Sequence, residues 1–124
     1  YKLEHLEILT ALSRDPDDDI RDWATFGIAG IGVDGPVDTP EIRAALRDRL
    51  EDPFEIAARE AMRGLALRRD PDALRRLRKA LATDPWRGDI DTAREILGLS
   101  DEDEHRLIAG LDELLAAANG TSAP

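Results

Sequence analysis

Cysteine is absent from all 124 residues. That excludes disulfides, iron–sulfur clusters and thiol nucleophiles together, and makes a cytoplasmic setting the expectation. Aromatic side chains make up only 4% of the chain. A core so poor in rings must be filled by Leu, Ile and Ala. Val, Tyr and Phe, which strands favour, are rare, so packed helices are the better fit. No run approaches the ~20 apolar residues of a membrane span. The opening stretch YKLEHLEILTAL is amphipathic and mixed in charge, unlike a signal peptide. The sequence does not open on Met, and a segment of a longer protein is one expectation.

Positive charge is also in deficit. Seventeen Lys and Arg stand against 27 Asp and Glu, a net charge of −10. Such a balance disfavours general nucleic-acid or anionic-membrane binding, because both need positive surface. The charge is segregated: residues 1–40 carry a net −6, residues 41–81 a net +3 and residues 82–124 a net −7. A basic middle therefore lies between acidic ends.

What the chain does contain is a repeat, and periods of this kind are the first thing to look for. Shifted by 37 positions, DPDDDIRDWATFGIA (15–29) falls on DPFEIAAREAMRGLA (52–66). Asp15–Pro16 meets Asp52–Pro53, Ala24 meets Ala61 and Gly27 meets Gly64. A further shift of 32 brings Asp84–Pro85 into line, with Ala93 under Ala61. Each copy is followed by a second stretch of helical period: Ile42, Leu46 and Leu50; then Leu74, Leu77 and Leu81; then Leu107, Ile108, Leu111, Leu114 and Leu115. An opening helix over about residues 2–13 uses Leu3, Leu6, Leu9 and Leu12 and reads as the second half of a pair. Asp and Ser–Asp before the runs supply N-caps, and Pro is tolerated in a first turn. The expected division is one domain over 1–118, made of a half repeat 1–13 and repeats 15–51, 52–82 and 84–117, with a disordered tail over 119–124.

Chemistry is hard to place in this pattern. Asp15, Asp17 and Asp19 occupy the first, third and fifth places of a calcium loop. The loop needs Gly at six and Glu at twelve, and Ile20 and Phe26 stand there. A helix start, where negative charge favours the macrodipole, explains these aspartates better. His5 and His105 are isolated, so no metal or cofactor is expected. Ser13 and Ser100 lie at helix boundaries rather than in a nucleophile elbow. The glycines of GIAGIG (27–32) follow no strand and suit close helix packing, as do Ala24, Ala61 and Gly64. Trp23 and Phe26 belong to a helix that is apolar almost all round, and burial in the core is expected for both. Trp86, in DPWRGD, is either an anchor for a partner or a lid over the third repeat.

The motif running through the copies reads Asp15–Pro16, then Ile20–Arg21, then Ala24, then Gly27–Ile28. In this respect the chain resembles the HEAT-repeat family, in the short form found in bacterial proteins, over roughly residues 2–117. The second copy has Ala58 where the motif has Arg, with Arg59 one place on, and the third copy has no Gly. The resemblance implies an all-α fold, a right-handed α-solenoid of about three helix pairs. It implies that Asp15, Arg21, Asp52 and Asp84 tie neighbouring repeats together. It also implies a non-catalytic scaffold that holds a protein or peptide, although phycobilin lyases and DNA glycosylases are among the family's relatives. A structural segment of a longer solenoid is a further alternative.

Second helices line the concave face in such folds, and here they carry Arg43, Arg47, Arg75, Arg76, Arg78 and Lys79. With Trp86, these residues are the candidate surface for an acidic partner. The alternative is a solvated face on which they pair with Asp48, Glu51, Glu55 and Asp70. Reversing the charge of Arg47, Arg75 and Arg78 together is expected to abolish partner capture without unfolding the protein. Persistence of binding would overturn the basic-surface reading.

Overall fold

Aspartate begins the helical organisation that a computed structural model reveals over residues 3–31, 37–100 and 104–118. The Asp17 carboxylate accepts the backbone N–H groups of Asp19 at 2.9 Å and Ile20 at 3.2 Å, capping α2 (Asp18–Ala29). Just before it, Asp15 accepts the N–H of Asp17 at 2.9 Å, and in the next copy Asp52 accepts that of Phe54 at 2.8 Å. The aspartate of each of these Asp-Pro pairs therefore folds the chain into a turn, and the helix follows. Thr39 caps α3 (Pro40–Arg47) through the N–H of Ile42 at 3.2 Å, with Pro40 in the first turn. Asp70 caps α5 (Pro71–Thr83) through Asp72 and Ala73.

Before these runs α1 (Leu3–Leu12), and between and after them α4 (Glu55–Leu67), α6 (Arg87–Leu97) and α7 (Glu104–Ala118), complete seven helices among the described residues. None of the described residues is in a strand. No helix among them is long and apolar enough to cross a membrane. The class is all-α, built of helix pairs, as the repeat pattern implied. The expected tail over 119–124, most of the loop 32–40 and most of the acidic run 101–105 lie outside the described residues.

The chain divides into two compact units, Tyr1–Arg68 and Arg69–Pro124, and the boundary falls inside the expected repeat 52–82. In the first unit α2 is the hub and packs against α1, α3 and α4. Its inward positions are Arg21, Ala24, Thr25, Ile28 and Ala29, all buried. Ile42 and Leu46 of α3, and Ala57, Ala61 and Leu65 of α4, are buried in the same unit. In the second unit α5, α6 and α7 pack around Leu74, Leu77, Leu81, Ala93, Leu107 and Leu111. The left-handed backbone of Gly98, at φ 67°, closes α6.

Close approach needs small residues, and Gly64 shows how close. A Cβ there would stand 2.8 Å from the Ala29 Cβ and 2.9 Å from the Leu46 Cδ1. The repeat-derived Ala24, Gly27, Ala61 and Gly64 are thus packing positions, Gly27 receiving the Leu9 side chain of α1.

Trp23 and Phe26 depart from the sequence expectation. Trp23 is 71% exposed and Phe26 50% exposed, so neither is a core residue. The reason is helical geometry. The five buried positions of α2 already meet α3 and α4, and the two rings fall on the opposite side. α2 carries an apolar stripe on its outer side as well as an apolar inner one. The opening helix behaves similarly: Leu6 is buried, while Leu3, Ile8 and Leu12 are exposed.

Replacing Gly64 by Ala is expected to destabilise the fold by about 1–3 kcal/mol through overpacking. Gly88, in α6, has nothing within 4 Å of its virtual Cβ. There the same replacement is expected to stabilise by about 0.5–1 kcal/mol, since a helical glycine costs entropy. Urea unfolding of the two variants measures the contrast.

Candidate partner-binding surface

Two arginines of the first unit are committed to the fold. Arg21 is 8% exposed and sits on α2, facing the turn before α4. Its guanidinium forks onto Asp52, Nε to Oδ2 at 2.9 Å and a terminal nitrogen to Oδ1 at 3.1 Å. Its other donors reach the carbonyls of Asp15 and Pro16, both at 3.0 Å, and the Asp18 carboxylate. The pair joins positions 31 residues apart and one repeat to the next. Of the expected ladder residues, Arg21 and Asp52 form a rung. Asp15 serves it through its carbonyl, and Asp84, exposed at the C-terminus of α5, stands in the other unit. Arg49 adds a second cation to Asp52 at 3.1 Å. Arg59, displaced by one place from the motif, pairs within its own helix with Glu55 at 3.2 Å.

The Arg21 guanidinium holds the Asp52 carboxyl below its ordinary range, against the burial that would raise it. Asp52 in turn raises the pKa of Arg21.

Arg68 was not singled out from sequence. It is 3% exposed and donates to the carbonyls of Val37 at 2.9 Å, Gly64 at 2.9 Å and Ala29 at 3.1 Å. It satisfies carbonyls left open where α2 ends, and its burial lowers its pKa. An arginine one residue past an apolar helix was the only available signal.

The candidate arginines divide by helix and by unit. In the first unit Arg43 forks onto Asp38 with two contacts of 2.7 Å and also reaches the Arg68 carbonyl, while Arg47 is exposed. This pairing holds the Asp38 carboxyl below its ordinary range. In the second unit Arg76 bonds Asp72 at 3.2 Å, and Arg75 lies 3.8 Å from the same carboxylate with its side chain 54% exposed. Arg78 bonds Asp112 at 3.0 Å and ties α5 to α7. Lys79 is exposed, one turn on from Arg75. Asp38, Asp72 and Asp112 are partners outside the Asp48, Glu51, Glu55 and Asp70 set considered above. Asp70 is occupied as a cap, and Asp48 pairs with Arg14 at 3.0 Å. Trp86 is 42% exposed at the start of α6, and its backbone N–H donates to Asp89 at 3.0 Å.

The outer side of α2, expected in the core, is surface. Trp23 and Phe26 meet edge to face, ring centres 6.2 Å apart and planes at 84°. Ile20, one turn back, is 39% exposed, and Ile56 of α4 is 43% exposed. Among the described residues there is no group of three His, Asp or Glu arranged to hold a metal ion. The carboxylates of the calcium-like stretch are engaged instead, Asp15 and Asp17 by backbone N–H groups and Asp18 by Arg21.

A family model described as HEAT repeats matches residues 6–98. No curated protein matches the chain, and no solved structure does.

The Arg21–Asp52 rung predicts a pH-dependent stability. Asp52 has a folded pKa below its unfolded one. Its contribution is therefore full above the unfolded value, about 3.9, and is lost as pH falls through the folded value. The Asp52→Asn variant is expected to unfold at lower urea than the parent at pH 7, with the gap narrowing towards pH 3. An equal gap at both pH values would remove the charge from the explanation.

Proposed function

The chain belongs to the HEAT-repeat family, and we propose that it is a non-catalytic, cytoplasmic scaffold that binds another protein through the outer face of α2. One observation carries the reading: the Trp23–Phe26 pair stands outside a core that has no other use for it. Exposed aromatics cost solvation, and tryptophan is enriched where interfaces concentrate their binding energy. Helical repeats support this role physically, because stacked pairs hold side chains in fixed register over an extended surface. The arginines favour a scaffold over a catalyst as well, since Arg21, Arg43, Arg68, Arg76 and Arg78 are engaged by the fold's own carboxylates and carbonyls.

A second reading rests on α5. Arg75 and Lys79 project from its outer side four residues apart and would suit an acidic segment, with Trp86 nearby in sequence as an anchor. Since Arg78 already binds Asp112, a double reversal of Arg75 and Lys79 tests this face without loosening α7.

Capture of the native partner by the full chain, compared with Trp23→Ala and Phe26→Ala variants of unchanged circular dichroism, tests the main reading. Trp23→Ala is expected to weaken binding by at least about thirtyfold, equivalent to about 2 kcal/mol. Undiminished capture by both variants would overturn it, and loss on reversal of Arg75 and Lys79 alone would establish the second reading instead.

A further inference from the structure

The outer face of α2 has a chemistry that selects its occupant. Ile20, Trp23 and Phe26 recur every three residues and form one stripe along the helix. Acids are set among them: Asp19 is exposed and Asp22 half-buried, and Glu60 lies half-buried on the neighbouring α4. Asp22 and Glu60 are close enough for the charge of Asp22 to act on Glu60. Each has one carboxylate oxygen shut off from solvent with no hydrogen-bond partner among the described residues, Oδ1 of Asp22 and Oε2 of Glu60. A buried acceptor left without a donor is costly. Arg63 offsets part of the charge on Glu60, and Arg59 is bonded to Glu55.

The possible occupants differ in charge. A second copy of the chain would set this acid-lined face against itself, in a segment, residues 1–40, of net −6. An anionic lipid surface would be repelled in the same way. A helix with one apolar side and flanking Lys or Arg would bury the aromatic stripe and set its cations against Asp19 and the half-buried carboxylates of Asp22 and Glu60.

We infer that the stripe Ile20–Trp23–Phe26, with Asp19, Asp22 and Glu60 as its charged border, docks a cationic amphipathic helix of a partner protein. The inference rests on the functional reading above and names the class of partner. α2 has 12 residues and is about 18 Å long at 1.5 Å per residue. The docked segment is therefore about three turns, with two or three apolar anchors facing Trp23 and Phe26.

A fluorescently labelled peptide of Leu and Lys, patterned as an amphipathic helix of about four turns, is the probe for the full chain. Three comparisons accompany it: the same composition scrambled so that Leu is spread around the helix, the Leu and Glu version of the original pattern, and sedimentation of the chain alone. Saturable anisotropy for the patterned Lys peptide is expected, weakened at least about tenfold by Trp23→Ala and by the double reversal Asp19→Lys/Asp22→Lys. Equal binding of the scrambled peptide would mean charge attraction alone, and equal binding of the Glu peptide would mean an apolar patch without charge selection. Either overturns the inference. Self-association of the chain that Trp23→Ala abolishes would also overturn it, by assigning the face to a second copy. If the patterned peptide fails while Trp23→Ala still prevents native capture, the partner class is wrong and the binding face stands. If neither depends on Trp23, the functional reading fails with it.

Discussion

The first unit is organised around a guanidinium shielded from solvent. Arg21 is only 8% exposed, so most of its donors must be met by the protein. Asp52 meets two of them from a site 31 residues away, and the carbonyls of Asp15 and Pro16 meet another. Because a fork matches a carboxylate in a narrow range of geometries, the pair sets how the start of α2 stands against the turn before α4. Asp52 is held further by the Phe54 N–H and by Arg49. A displacement of either helix would strand a buried charge, so close packing and ion pairing select one arrangement.

Packing then follows from the sizes of the residues in between. With the ends in register, the middle of α2 meets α4 where Ala29 stands against Gly64, and a single added methyl would not fit. Arg68 completes the far end by donating to carbonyls that the helices leave open. Trp23 and Phe26 fall on the outer side of α2, opposite its buried positions, and that placement creates the surface on which the functional reading depends.

Charge is distributed by the same economy. Arginines were expected to form one basic surface, but several are spent on local carboxylates: Arg43 on Asp38, Arg76 on Asp72 and Arg78 on Asp112. Pairs of this kind at exposed sites contribute little to stability. They do lower the positive potential that α3 and α5 present. The carboxylates of Asp22 and Glu60 show the converse. Burial raises their pKa values, and each keeps an oxygen without a partner.

The repeat offset, the helical periods and the Asp-Pro turns were all readable in the chain, because they are local: a cap lies within three residues of the groups it satisfies, and a helical face repeats every three to four. So were the close-packing glycines, since Gly27 and Gly64 stand at the same place in the first two copies, and the Arg21 motif. What the chain alone could not decide was which way an apolar residue faces. Trp23 and Phe26 have the composition of core residues, and their exposure depends on which sides of α2 the helices α1, α3 and α4 occupy. Nor could it show that Arg68 is buried against a carbonyl 39 residues away, or that Arg21 and Arg78 would reach carboxylates 31 and 34 residues distant. Local backbone chemistry determined the elements, and long-range packing decided which of their faces remained for function.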